Sequence, residues 1–127
     1  MKIVKFEELD CWKEGRKLAL AIYRYVNKGS FSKDIRLSGQ ITGASISVMN
    51  NIAEGFDSGS GTEFARFLYY ARRSCSEVQN CLYIALDQKY INHDEFDDTY
   101  KQCEKVRQII DGMIRHLKNR RKQSSTG

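Results

Sequence analysis

A chain of 127 residues with no proline, 41% hydrophobic residues and a formal net charge of +5 has the dimensions of one helical domain. That length can bury a core without disulfide or metal staples, and no apolar run approaches the roughly 20 residues that span a bilayer. The opening MKIVKFEELD lacks the apolar centre of a signal peptide, so the expected compartment is the cytoplasm, with no membrane role.

The first helix is expected at about 8–27, with Leu9, Trp12, Ala19, Ile22 and Val26 inward. Gly29 is a natural stop, and Ser32 is a candidate N-cap for a second helix at about 33–55. That second helix is rich in Ser, Gly, Thr and Ala from Ser38 to Ser47, and small residues of this kind lower helix propensity. A helix of this composition persists where neighbours approach closely, so it is expected to be the most enclosed of the set. Its seam reads Ile41, Ser45, Val48 and Ile52.

After GFDSGSG, Ser60 and Glu63 form a capping-box pattern that starts a third helix at about 61–88. Phe64, Leu68, Ala71, Cys75, Val78, Leu82 and Ala85 recur there at alternating steps of four and three, as on a bundle helix. Asn92 and Glu95 repeat the capping box and open a fourth helix at 93–118, with Phe96, Tyr100, Cys103, Val106, Ile110, Met113 and Leu117 inward. The tail, 119–127, is basic and polar and is expected to be disordered. Four amphipathic helices with short links imply an all-α, antiparallel up-down-up-down four-helix bundle in a single domain.

Catalytic apparatus is hard to find. His93 and His116 stand at opposite ends of one helix, roughly 35 Å apart at 1.5 Å per residue, too far to share a metal. The Arg-x4–6-His pattern of helical-bundle ribonucleases finds no arginine at those offsets before either histidine. GFDSGSG lacks the lysine and preceding strand of a phosphate-binding loop. Cys11, Cys75, Cys81 and Cys103 show no CxxC spacing and read as buried free thiols. No enzyme activity, cofactor or metal is therefore expected.

Asn50, Asn51 and Glu54 interrupt the apolar pattern in SVMNNIAEGF. A buried carboxylate needs a partner, and Arg66, just across the GFDSGSG turn, is the expected one. Asn51, Glu54 and Arg66 then form a structural polar joint, against the lesser alternatives of a binding or catalytic role. The basic clusters outside that joint are Arg72 and Arg73 on the third helix and Lys118, Arg120, Arg121 and Lys122 near the end. Part of this charge suits the helix macrodipole or simple solubility, and part suits a polyanion. Tyr69 and Tyr70 beside Arg72 and Arg73 suit stacking on unpaired bases, although tyrosines in such places more often pack in a core or subunit interface.

FEELDCWKEGRKLALAIYRYV, SVMNNIAEG and EFARFLYYARRSCSEVQNCL, in that order, resemble the bacterial 23S rRNA-intervening-sequence proteins over about residues 6–118. Leu9 and Trp12 match the opening Leu-x-x-Trp, IIDGMIRHLK matches the closing helix, and Asn51, Glu54, Gly55, Glu63, Phe64, Arg66 and Phe67 match the central motif. The chain has Met49 where the family usually has proline, and Thr42 and Gly43 where it commonly has a basic pair. The resemblance implies a four-helix bundle assembled as a ring-shaped homopentamer with a basic surface. It implies RNA or DNA as partner or, from a related branch of retroelement accessory proteins, a reverse transcriptase recruited by a protein–protein adaptor.

Overall fold

The structure, a computed structural model, describes residues 2–126, with side chains through 122. A 3-10 turn at Phe6–Glu8 leads into α1 (Asp10–Val26), and a second 3-10 turn at Gly29–Lys33 leads into α2 (Ile35–Asp57). Then come α3 (Gly61–Asp87) and α4 (His93–Thr126). Described residues therefore form four helices packed as an all-α bundle, with no strand among them.

Each boundary has a local cause. Gly29 adopts a φ of +52°, a conformation L side chains rarely take, and turns the chain out of α1. The N-cap of α2 is Asp34, whose Oδ1 accepts from Leu37 N–H at 3.0 Å. The expected cap, Ser32, lies in the preceding 3-10 turn, where its hydroxyl donates to Gly29 O. Asp34 wins because its second oxygen also accepts from the Tyr90 hydroxyl at 2.9 Å, tying the α2 start to the α3–α4 turn. Gly59, at φ +84°, makes the α2–α3 turn. The Asn92–Glu95 capping box closes in both directions, at 2.9 and 2.8 Å. The Ser60 box closes in one direction only: Glu63 N–H donates to Ser60 Oγ, while the Glu63 carboxylate turns to Arg66.

The expected seams of α2 and α3 are buried without exception, and α4 buries Phe96, Cys103, Val106 and Ile110 of its own. Cross-helix contacts run in reverse chain order. Ser47 meets Ser74 while Gly55 meets Phe64, and Tyr69 meets Lys118 while Tyr83 meets Tyr100. The apolar side chains form two clusters. One holds Leu18, Ile22, Phe31, Ile41, Leu82 and Phe96; the other holds Leu9, Val48, Ile52, Leu68, Val106 and Ile110. Buried Glu14 lies between Cys11 of one cluster and Leu18 of the other along α1.

Two expectations are corrected. The tail is not a separate stretch: α4 does not end at 118 but continues through Thr126, and only Gly127 of the expected disordered stretch lies outside the described residues. Lys, Arg and Gln are good helix formers, no proline or glycine falls between 113 and 126, and cations at a helix C-terminus favour the macrodipole. Nor is α2 the most enclosed helix: α3 buries ten of its 27 residues against seven of 23 on α2. Ile35, Gly39, Gly43 and Ile46 recur on one helical face; Ile35 is 83% exposed, and nothing approaches within 4 Å of a β-carbon built at either glycine.

Candidate nucleic-acid interface

The start of α3 and the last turns of α4 frame a groove of about 530 Å³. Thr62, Ala65, Arg66 and Tyr69 line it from α3, at the three- and four-residue steps that share a helix face. Leu117, Lys118, Arg120 and Arg121 line it from α4, so four cations border it and no carboxylate does. The helical tail is what places Arg120 and Arg121 there.

Lys118 Nζ lies 2.5 Å from the Tyr69 hydroxyl and 5.1 Å from the ring centroid. The hydroxyl projects from the ring edge, so an ammonium so near the oxygen and so far from the centroid sits off the edge, not over the face. Arg66 donates from Nη2 to Glu63 Oε2 at 2.7 Å and lies over the rings of Phe67 and Tyr70, 5.5 and 5.8 Å from their centroids. The neighbouring Glu63 raises the Arg66 pKa, so its charge is permanent.

Arg72 and Arg73 belong to neither this groove nor a shared patch. Adjacent residues on a helix point about 100° apart, and these two go opposite ways. Arg72 faces α4, with Nε 2.9 Å from Asp111 Oδ1 in an ionic contact that lacks hydrogen-bond alignment. Arg73 faces α2, where it lines a polar recess with Ser47, Asn51, Tyr70, Ser74 and Glu77. Lys122 is exposed one position beyond the groove.

The expected Glu54–Arg66 joint is absent. Glu54 is exposed and Arg66 pairs with Glu63. Ile52 and Gly55 face inward on α2, which turns Glu54 away from the core. A partner three residues away on the same helix needs no turn to be crossed. Asn51 is nevertheless structural: its Nδ2 donates to Ser47 O and Oγ at 2.8 and 3.0 Å, and Ser47 Oγ lies 2.9 Å from Ser74 Oγ across the α2–α3 contact. Gly55 completes the joint by letting Phe64 and Phe67 lie against the α2 backbone.

The family model of the 23S rRNA-intervening sequence proteins matches residues 7–112. The chain belongs to that family. A crystal structure of a protein of unknown function from the S23 ribosomal protein family of Bacteroides thetaiotaomicron is similar, with a TM-score of 0.74 and 20% identity over 82% of this chain and 97% of that one. At that identity the likeness is one of fold. No curated protein matches the chain.

In this 23S rRNA-intervening sequence protein the enclosed carboxylate is Glu14, which the pattern reading passed over. Oε2 accepts from Lys17 at 2.9 Å, and Oε1 accepts from Gln102 Nε2 at 3.1 Å and lies 3.2 Å from Lys105 Nζ. The Lys17 and Gln102 bonds, with Lys105, outweigh burial and hold its pKa down to about 2. The signal was available. Stepping back by four from Val26 through Ile22 and Leu18 arrives at Glu14. His93 and His116 are both exposed, and among the described residues no cluster of His, Cys, Asp and Glu could hold a metal ion. All four cysteines are free and buried.

Proposed function

We propose that this protein is a non-enzymatic, homo-oligomeric helical bundle that binds nucleic acid along the groove between the α3 start and the α4 end. The observation that carries the reading is the groove's lining of Arg66, Lys118, Arg120 and Arg121 without a carboxylate. Such a lining recognises phosphates, so binding is salt-sensitive and weakly sequence-specific. The family's name adds support, since it ties relatives to large-subunit rRNA genes.

Self-association draws its support from the open strip of Ile35, Gly39, Gly43 and Ile46 and from Leu20, which is 59% exposed on α1. Small residues flanked by isoleucine admit a close helix neighbour. The same strip favours the second reading, in which the assembly is an adaptor whose apolar face recruits a protein such as a reverse transcriptase.

The test is a salt titration of RNA and DNA binding, with mass by light scattering on the same sample. An oligomer that releases nucleic acid steeply as salt rises, and fails to bind as Lys118→Glu with Arg121→Glu, supports the groove. An oligomer that ignores nucleic acid at low salt favours the adaptor. Arg72→Glu is a poor probe, because it would set a carboxylate against Asp111.

A further inference from the structure

Most rings along the first half of α3 are already engaged. Phe64 meets Phe56 edge-on, and Phe67 and Tyr70 pack against each other with Arg66 over both. Among the described residues Tyr69 pairs with no other ring; its polar partner is Lys118, off the ring edge at the hydroxyl. It is 37% exposed and lines the groove, so a ring face is open to an occupant. Ala65 and Leu117 add apolar floor beside it, and the cations stand on both helices around it.

We infer that the groove takes single-stranded nucleic acid, with one unpaired base stacked on Tyr69 and the flanking phosphates met by Arg66, Lys118 and Arg121. This rests on the nucleic-acid reading above and narrows it. An aromatic face beside an apolar floor and a cationic rim is the combination a single strand satisfies, because its bases offer π-faces while its backbone offers charge. A duplex keeps its base faces inside its own stack, so it offers phosphates to the rim and nothing to the ring. The recess volume falls in the range of small-ligand sites, roughly 300–1,000 Å³, enough to admit a base. The Lys118 hydrogen bond steadies the ring by its hydroxyl, from off the ring edge. Tyr70, by contrast, is held by Phe67 and Arg66, so the two adjacent tyrosines have different roles.

The experiment compares four fluorescein-labelled probes at one salt concentration: U12, dT12, a 12-unit abasic deoxyribose-phosphate strand and a 12-base-pair duplex. Fluorescence anisotropy is expected to show U12 or dT12 bound about tenfold more tightly than the abasic strand and the duplex. Tyr69→Ala should erase that margin without weakening the abasic strand, whereas Tyr69→Phe should keep most of it. Equal binding of dT12 and the abasic strand, or a margin that survives Tyr69→Ala in a protein with wild-type circular dichroism, overturns the stack but leaves a phosphate-binding groove. Failure to bind any probe removes both readings.

Discussion

Gly55 and Phe67 are so close that a β-carbon on the glycine would stand 2.7 Å from the Phe67 Cβ, with Phe64 Cδ1 at 3.0 Å. The first contact is with a Cβ, which cannot swing aside without moving the α3 backbone. Glycine inside a helix costs about 1 kcal/mol relative to alanine, so Gly55→Ala would stabilise an open site. Here overpacking of ~1–3 kcal/mol outweighs that gain, and the variant should melt several degrees lower. Gly43→Ala is the control, because nothing lies within 4 Å of its β-carbon position. In the single chain it should be neutral or stabilising. A higher melting temperature for Gly55→Ala would mean that α2 and α3 do not approach this closely.

Glu54→Ala should change stability by less than about 1 kcal/mol, the usual worth of an exposed charge, in urea unfolding. Glu54 is solvated and Arg66 retains Glu63, so no charge is stranded. A loss of about 3 kcal/mol, the cost of breaking a buried pair, would restore the joint that the sequence pattern suggested.

Glu14 carries the acid sensitivity. Its pKa falls from 4.5 to about 2 on folding, so its contribution is complete above about 4.5 and is lost as pH drops toward 2. A shift of that size corresponds to ~3 kcal/mol at most, and the well-exposed lysine partners reduce it to ~1–2 kcal/mol. Glu14→Gln should flatten the stability profile between about pH 5 and pH 2 by that amount. An unchanged acid limb in urea titrations would show that Glu14 is not paired in solution.

Burial pushes Cys11 up to about 11 and Cys75 up to about 12, and it raises Cys81 and Cys103 as well. Thiolate is the reacting form, so at mildly alkaline pH the folded protein should react with a disulfide reagent only as fast as it opens. All four thiols should titrate at once in denaturant. Rapid native-state labelling of any cysteine would contradict its placement in the core.

Periodicity made the bundle legible because the seams of α2 and α3 keep strict steps of four and three, and burial follows those steps. It also placed Cys75 and Cys103 on seams, whereas Cys11 and Cys81 were read as buried from residue type alone. Pairing was not legible, because the Glu63, Glu54 and Arg66 alternatives differ only in which side of a helix each residue faces. Glu14 escaped notice because a carboxylate on an apolar seam reads as a break until its partners, one from α1 and two from α4, are placed around it. The groove was hidden for another reason. Arg72 and Arg73 are adjacent in sequence yet point to different neighbours, while Arg66 and Arg121 are 55 positions apart and line one recess.

The tail of α4 joins folding to function. Among the described side chains Leu117 is the last of α4 packed against the core, whereas Arg120 and Arg121 are exposed and line the groove. Ending the chain after Asn119 should therefore leave stability within about 1 kcal/mol, since the described side chains it removes, Arg120 to Lys122, are all exposed. It should also weaken nucleic-acid binding. For a single strand, each phosphate contact contributes about 0.7 to the slope of log affinity against log salt. Loss of the two groove arginines should lower the magnitude of that slope by about 1.4 if each meets one phosphate. Anisotropy titrations between low and moderate salt would measure it. An unaltered slope would place the phosphates elsewhere on the bundle, and a collapse in stability would mean that the tail packs against more than the groove.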